Sequence, residues 1–295
     1  MEELTPNVYG YLQPDGGWCL SNAGVIVGDG SVTVIDTLAT QARAIALRER
    51  VRALAAGPVT TVVNTHVHGD HTFGNQFFAE ATMIGHRLLR EEMLAMGLAM
   101  TQLWPEVEWG DLRVTPPTVL LEDRLTIYVG DIEVQLLHVG PAHTTNDVVA
   151  WLPAQRVLFA GDVLMSGCTP FVLMGSLSGS LLAIERLRAL QPQLVLSGHG
   201  KVAGPEVLDT NAEYLRWLSG VADAGKRADL SLLELARATE LGEYAGLLDS
   251  GRIVANLRRA YAEIDGAQPG DPVDVLAAFE DISQLAGGRL PACWA

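Results

Sequence analysis

Side chains that can bind metal ions are concentrated in one short segment of the sequence, residues 64–71. It reads Asn-Thr-His-Val-His-Gly-Asp-His, so three histidines and one aspartate fall within six residues. His66 and His68 are two positions apart, and in an extended chain side chains at that spacing point the same way. Imidazole nitrogens and carboxylate oxygens together suit zinc or a related divalent ion. The segment therefore predicts a metal site.

The neighbouring residues predict how this segment is held. Residues 59–63, Val-Thr-Thr-Val-Val, are β-branched and apolar, which is typical of a buried strand. Gly69 is expected to end the extended segment, and Thr72 to cap a helix that begins near Phe73. Asp70 and His71 then follow in the turn. One strand end would direct all four metal-binding groups into a single volume.

Three further candidate ligands follow downstream. His143 lies in Gly-Pro-Ala-His-Thr-Thr-Asn-Asp (140–147), Asp162 in Leu-Phe-Ala-Gly-Asp (158–162) and His199 in Val-Leu-Ser-Gly-His-Gly (195–200). Each comes after an apolar run and near a glycine, and their joint occurrence in this order favours a shared site. Asp36, at the end of a predicted strand, has two interpretations: a turn or capping residue, or a carboxylate that orients a ligating histidine.

The pattern His-x-His-x-Asp-His after a strand, with these later residues, resembles the metallo-β-lactamase superfamily over roughly residues 5–204. The resemblance implies an α/β fold, an αββα sandwich with the metals at one edge. It also implies that His66, His68 and His143 hold one metal, that Asp70, His71 and His199 hold the second, and that Asp162 bridges them. Two zinc ions are expected, although iron and manganese also occupy such ligand sets.

The chemistry implied is hydrolysis of an acyl substrate. Two neighbouring divalent ions can share a water and lower its pKa from 15.7 toward ~7, which generates a nucleophile at neutral pH. Asp70 is the candidate catalytic residue, as a proton shuttle. True β-lactamases of the superfamily replace the bridging aspartate. This chain keeps it as Asp162, and in that respect it resembles dinuclear hydrolases such as glyoxalase II and lactonases. His68 argues against the redox di-iron centre of flavodiiron relatives.

Residues 11–24, 104–111 and 166–176 carry a closer resemblance, to metallo-β-lactamase-fold cyclases of aromatic polyketide pathways, the second-ring cyclases of the actinorhodin type. It implies an enzyme of antibiotic biosynthesis that closes a ring by aldol chemistry and then cleaves the thioester to an acyl carrier protein. Arg87, Arg90 and Arg113 could dock such an acidic carrier, or be ordinary surface residues. The alternatives are a lactonase or glyoxalase II-like thioesterase, an exported β-lactamase, and a non-catalytic metal-binding protein.

Two segments are expected to form the substrate pocket. A helix over residues 86–100 carries a stripe of methionines, followed by tryptophans, and a loop over 166–180 is rich in small residues. These side chains are either core packing or an adaptable apolar lid. A deep, aromatic-lined pocket would favour a polyketide, and an open groove with a tyrosine near the metals a lactone. The predicted pocket residues are Met93, Met96, Trp104, Trp109, Phe171, Leu173 and Met174.

The amino-acid composition limits the classes of molecule that the protein is expected to bind. The chain has 295 residues, a formal net charge of −15 and 48% apolar residues, which argues against nucleic acid or an anionic membrane surface. No apolar run approaches the ~20 residues that cross a membrane, and the first residues do not resemble a signal peptide. Three cysteines without a C-x-x-C motif favour a reduced, cytoplasmic setting. The oligomeric state stays open, a homodimer included.

The remaining pattern predicts a catalytic core (1–204), a helical extension packed on it (205–265), and a linker with a last helix and tail (266–295). Predicted strands cover 9–12, 22–28, 31–37, 82–85, 118–121, 124–129, 132–139, 147–152, 156–160 and 193–196. The strands at 118–121, 124–129 and 132–139 are expected to form one antiparallel run, and Asp162 is expected to end the hairpin of 147–152 and 156–160. Predicted helices cover 40–56, 86–100, 181–190, 205–224, a short stretch after Ser231, 252–264 and 274–286.

Overall fold

A computed structural model describes residues 1–13, 16–55 and 57–295. The predicted turn at Pro14 and Asp15 and the predicted helix end at Ala56 lie outside the described residues. Two β-sheets pack face to face, and helices cover both outer surfaces. The predicted α/β sandwich is therefore confirmed.

The first sheet has seven strands in chain order, antiparallel from β1 to β4 and parallel from β4 to β7. The strands are β1 (Glu2–Thr5), β2 (Val8–Tyr11), β3 (Ala23–Gly28), β4 (Ser31–Ile35), β5 (Val59–Val63), β6 (Thr82–His86) and β7 (Val119–Leu121).

The second sheet has five strands in the order β12-β11-β10-β9-β8, and only the β11–β12 pair is parallel. The strands are β8 (Arg124–Val129), β9 (Ile132–His138), β10 (Val148–Leu152), β11 (Val157–Met165) and β12 (Leu194–His199).

Eight α-helices are described, and short 3-10 turns cover Phe73–Phe78, Ala99–Gln102 and Gly242–Gly246. The helices are α1 (Gln41–Leu54), α2 (Gly69–Thr72), α3 (Arg87–Met96), α4 (Leu177–Ala189), α5 (Glu206–Arg227), α6 (Leu232–Ala238), α7 (Arg252–Ile264) and α8 (Val275–Leu285).

The core has three apolar layers. Ile26 and Val63 of the first sheet meet Leu136 and Phe159 of the second sheet between the two sheets. Leu47 and its neighbours on α1 cover the outer face of the first sheet. Helices α4 and α5 cover the outer face of the second, α7 packs against α4 and α5, and α8 packs against α7. Because successive side chains point to opposite faces of a sheet, one strand contributes residues to two layers.

Several helix boundaries differ from the prediction. Gly97 has a φ of +57°, which ends α3 at Met96 rather than at residue 100. A 3-10 helix begins at Phe73 as predicted, with Thr72 at its N-cap position, but a short α-helix, α2, already begins at Gly69. The Thr72 hydroxyl makes no capping bond and donates instead to the carbonyl of His68. Helix α4 begins at Leu177, four residues before the predicted start at 181, because the Ser176 side chain caps it by accepting a hydrogen bond from Gly179 N.

Two strand predictions also need correction. The segment at 118–121 does not join an antiparallel run with β8 and β9, because β7 pairs in parallel with β6 in the other sheet. The strand expected to end at Asp162 continues to Met165. The pairing of β11 with β12 shifts at Gly161, which has a φ of +51°, so the strand bends there without ending.

No helix within the described ranges combines the length and apolar character that crossing a membrane requires.

The layer between the sheets gives a stability prediction. Leu136 is fully buried there, so Leu136→Ala should lower the free energy of unfolding by ~2–5 kcal/mol through lost burial and a residual cavity. Leu182→Ala is the control, because Leu182 is 54% exposed and should change it by less than about 0.5 kcal/mol. Denaturant titration measures both. Equal losses in the two variants would contradict the assignment of Leu136 to the core.

Candidate metal centre and adjoining cavity

The seven predicted ligands lie together at one edge of the two sheets. His66 and His68 follow β5, whereas Asp70 and His71 occupy α2. The structure forms two groups in which the ligand atoms lie within 4.8 Å of one another. The first group contains His66, His68, His143 and Asp162, and the second contains Asp70, His71 and His199.

Asp162 lies between the two groups. Its Oδ2 is 3.4 Å from His143 Nε2 and 3.3 Å from His199 Nε2, and its Oδ1 is 3.2 Å from His71 Nε2. Asp70 Oδ2 is 3.2 Å from His199 Nε2. One carboxylate therefore faces imidazoles of both groups, which is the arrangement a bridging ligand needs.

Asp36 orients the second group. Its Oδ2 accepts hydrogen bonds from His71 Nδ1 at 2.8 Å and from Thr65 Oγ1 at 2.7 Å, and its Oδ1 accepts from Thr65 N at 2.8 Å. Because Nδ1–H donates to this carboxylate, the lone pair of the neutral His71 ring is on Nε2, which faces the centre. Of the two interpretations of Asp36, the structure favours the orienting one; Thr40 caps α1 instead.

A buried carboxylate also fixes the loop that carries His143. Asp147 accepts hydrogen bonds from Ala142 N, Thr144 N and Thr144 Oγ1. Burial raises the pKa of Asp147 to about 7, although these donors oppose that change. The ring of His143 is set by its Nδ1, which bonds to the carbonyl of Phe171.

Burial and charge act differently on the two groups. Burial, together with a smaller effect of the neighbouring His143, lowers the pKa of His68 to about 3. Burial also opposes the charge on His199, but Asp162 and Asp70 outweigh it and raise the pKa to about 9. The carboxylates thus make the second group attractive to a cation, and a bound metal ion would displace the proton from His199.

The chemistry of these donors fits metal ions. His66 Nε2, His71 Nε2 and Asp162 Oδ1 are buried and have no hydrogen-bond partner. A buried polar atom left unpaired costs about 1–3 kcal/mol, and a cation between the two groups would satisfy all three. Gly198 keeps the space open, because a Cβ there would lie 1.8 Å from Asp162 Oδ1.

An apolar cavity of about 170 Å³ opens next to the two groups. Trp18 and the three rings packed against it form the aromatic wall of the cavity: Trp18 lies 5.7 Å from Trp104, 5.4 Å from Phe171 and 5.7 Å from Phe279, measured between ring centroids. Phe73 also lines the cavity. Met93, Met96, Met100 and Met174 line it as well. His68, Asp70, His143, Asp162 and His199 form its polar end.

Five predicted pocket residues line this cavity, and two do not. Met93, Met96, Trp104, Phe171 and Met174 are lining residues. Trp109 lies behind them, where its Nε1 donates to the carbonyl of Trp104 at 3.0 Å. Leu173 is fully buried, and its carbonyl accepts from Arg259 Nε at 3.0 Å. Both residues support the wall from the side away from the cavity.

Sequence reasoning missed Trp18, Cys19, Arg252 and Phe279 as lining residues. Trp18 follows a turn-rich loop, and Arg252 and Phe279 lie on α7 and α8, far along the chain from the metal-binding motif. The buried Arg252 guanidinium stacks 4.3 Å from the Trp18 ring centre and pairs with Asp249 at 3.1 Å. No local pattern signals this contact, because it depends on how α7 packs against the core.

The predicted arginine patch is largely engaged in local contacts. Arg87 pairs with Glu91 and Glu122, and Arg90 donates to the carbonyl of Pro117. Arg113 lines the cavity with its side chain 78% exposed, and it lies 3.7 Å from Asp111. His138, predicted to be a strand residue, ends β9 and stacks on His86 with 3.9 Å between ring centroids.

Comparisons with known proteins agree with this geometry. The family model of the Metallo-beta-lactamase superfamily matches residues 16–199. The chain is 28% identical to a hydroxyacylglutathione hydrolase of Rhodospirillum rubrum, over 85% of this chain and 93% of that protein. It is 29% identical to the 2,4-dinitroanisole O-demethylase subunit alpha of Nocardioides sp., over 59% of this chain and about half, 51%, of that protein. The structure of DIM-1 metallo-beta-lactamase exposed to ceftazidime is similar in fold, with a TM-score of 0.60 at 20% identity, covering 73% of this chain and 95% of that chain.

The Asp36 contacts give a prediction for metal affinity. Asp36→Asn replaces an acceptor of three hydrogen bonds by an amide, so metal affinity should fall about 10–100-fold. Competition with a chelating indicator measures it. Asp29→Asn in the β3–β4 turn is the matched control and should leave affinity unchanged. An unchanged affinity in Asp36→Asn would show that Asp36 does not orient the donors.

Proposed function

The chain belongs to the metallo-beta-lactamase superfamily, and from that premise we propose that it is a metal-dependent hydrolase of an acyl thioester or ester. The observation that carries the proposal is the position of the two donor groups at the polar end of an otherwise apolar cavity. An apolar acyl group in the cavity would present its carbonyl carbon to the donor groups. Apolar walls with a few convergent polar groups are typical of small-molecule sites.

The residues have distinct roles in this proposal. His66, His68 and His143 would hold one zinc ion, Asp70, His71 and His199 the second, and Asp162 would contact both. When bound, the ions would supply Lewis acidity and an activated water. Asp70 lines the cavity and would move the proton between that water and the leaving group. Asp36 would keep His71 in the ligating tautomer.

The wall favours a flat acyl group. Trp18, Trp104, Phe171 and Phe279 offer ring faces and edges, which suit aromatic partners. Among the described lining residues there is no tyrosine, the feature expected for a lactonase. We therefore propose an aromatic acyl thioester as substrate, of the kind that a second-ring polyketide cyclase-thioesterase processes. The name of the Nocardioides relative also gives an aromatic substrate.

The size of the cavity limits how much of that substrate is enclosed. At about 170 Å³ it is smaller than the ~300–1,000 Å³ of pockets that bury a drug-sized ligand. The ring nearest the thioester would be enclosed, and the remainder, including an acyl carrier protein in this proposal, would lie at the opening beside Arg113.

A glutathione thioesterase is the second candidate, because the Rhodospirillum relative is named as one. A tripeptide with two carboxylates needs cationic partners. Lys201 is outside the cavity lining, and Arg216 pairs with Glu185. Of the described lining residues, Arg113 and Arg252 are the basic ones, and Arg252 is engaged by Asp249. The lining therefore favours an aromatic acyl group over glutathione.

Metal removal tests the proposed activity. Purified protein should contain about two zinc ions per chain by mass spectrometry, and hydrolysis of a benzoyl thioester should stop on chelation and return with zinc. Hydrolysis of hydroxyacylglutathione, assayed in parallel, separates the two candidates. Turnover that survives complete removal of metal would overturn the proposal.

The aromatic wall gives a specificity prediction. Phe279→Ala removes one ring from the cavity, so kcat/KM for a benzoyl thioester should fall by about tenfold or more, from lost apolar contact. Hydrolysis of an acetyl thioester, which does not reach Phe279 in this proposal, should change little. Leu94→Ala is the control, since Leu94 is 58% exposed and lies outside the cavity lining. Equal losses for both thioesters would show that Phe279 does not select the acyl group.

A further inference from the structure

The last residues of the chain form a strap, residues 291–295, that lies against the aromatic wall. The carbonyl of Pro291 accepts a hydrogen bond from Trp104 Nε1 at 2.8 Å. Trp294 N donates to the carbonyl of Trp18 at 3.2 Å, and Arg43 Nη2 donates to the carbonyl of Trp294 at 2.6 Å. Because Trp18 and Trp104 both line the cavity, the strap supports two of the four rings of the aromatic wall.

Two thiols meet where the strap contacts the wall. Cys19 and Cys293 are reduced thiols on the two segments that the Trp294–Trp18 backbone hydrogen bond joins, and the interaction between their side chains shifts the pKa of each. Cys19 is buried and lines the cavity, whereas Cys293 is only partly buried. Cysteines whose Cα atoms are more than ~7 Å apart cannot be joined without backbone movement. Here the Trp294–Trp18 backbone bond, one residue from each cysteine, already holds the two segments side by side.

The partial exposure of Cys293 makes it the accessible member of the pair. Its side-chain interaction with Cys19 lowers the pKa of Cys293, although burial opposes this change. The same interaction and, to a smaller extent, burial raise the pKa of Cys19. An oxidant would therefore meet Cys293 first, and Cys19 is in position to resolve the product.

We propose that Cys19 and Cys293 form a reversible disulfide that fixes the strap to the wall and restricts access to the cavity. The oxidant is a low-molecular-weight disulfide, RSSR. Cys293 sulfur attacks it, the RS–SR bond breaks, and one RSH leaves with the proton of Cys293. Cys19 sulfur then attacks Cys293 Sγ in the mixed disulfide, and the second RSH leaves with the proton of Cys19. Two thiols are oxidised and one external disulfide is reduced.

The consequence for turnover rests on the proposed function. In the reduced protein, the strap is held by backbone and indole hydrogen bonds alone and can move away from Trp18 and Trp104. The disulfide would remove that freedom. A substrate whose distal part must lie at the opening would then be admitted more slowly.

The experiment uses the full chain with its metal ions, treated with oxidised glutathione. Intact mass should show the loss of two hydrogen atoms, peptide mapping should link Cys19 to Cys293, and dithiothreitol should reverse both. Cys168→Ala is the matched control: it keeps both thiols of the pair and should still form the link. Cys293→Ser should not form it.

Alternative products would overturn the proposal. These are a link through Cys168, glutathione that stays attached to Cys293, or no reaction.

Oxidation should also lower kcat/KM for the benzoyl thioester by about tenfold in the unmodified chain and not in Cys293→Ser. An oxidised protein with unchanged turnover would overturn the gating role. If neither the reduced nor the oxidised protein hydrolyses thioesters, the proposed function fails. Peptide mapping then still decides whether the disulfide forms, and protection of the strap from proteolysis decides whether the disulfide fixes the strap.

Discussion

Buried negative charge is the main electrostatic constraint on the metal centre. Asp36, Asp70 and Asp162 share one small volume with five imidazoles; seven of these eight side chains are buried, and His68 is partly buried. Ionised groups removed from water are stabilised only by partners that replace their hydration. Asp36 has three hydrogen-bond donors, whereas Asp70 and Asp162 face imidazole nitrogens and raise the pKa of His199 to about 9. A proton on that ring compensates their charge, and a bound metal ion would replace the proton.

The local part of the site was predictable from sequence because its geometry is local. Spacing alone places His66 and His68 on the same side of an extended segment, and α2 adds Asp70 and His71 within one turn. His143, Asp162 and His199 were predicted by order and by resemblance, since their proximity depends on pairing between distant strands. The β11 bend at Gly161 shows the limit: it brings Asp162 to the centre within a continuous strand, whereas the sequence pattern predicted that the strand ends there. The end of α3 at Gly97 and the separation of β7 from β8 were missed for the same reason, because a glycine conformation and the choice of sheet depend on tertiary context.

The cavity walls were less predictable than its metal-binding end. Met93 and Met96 could be predicted from helical spacing, and Phe171 from its position in a loop. Trp109 and Leu173 have the same local character but face away, because each is fixed by a contact from another element: Trp109 by the carbonyl of Trp104, and Leu173 by the buried Arg259. Residue type indicates that a side chain is apolar, and only the packing of α7 and α8 decides which apolar side chains face the substrate.

The donor residues and part of the cavity wall come from different regions of the chain, so the wall can differ while the donor set stays the same. The region that matches the family model ends at residue 199, and the seven donor residues all lie within it. Arg252, Val275 and Phe279 lie beyond it and complete the cavity. Arg252 stacks on Trp18, a residue of the matched region, and its charge is compensated by Asp249 and by the carbonyl of Thr169 at 3.0 Å. Substitutions on α7 and α8 would therefore change the cavity wall without altering any of the seven donor residues, whereas Asp70 and Asp162 belong both to the donor groups and to the cavity lining.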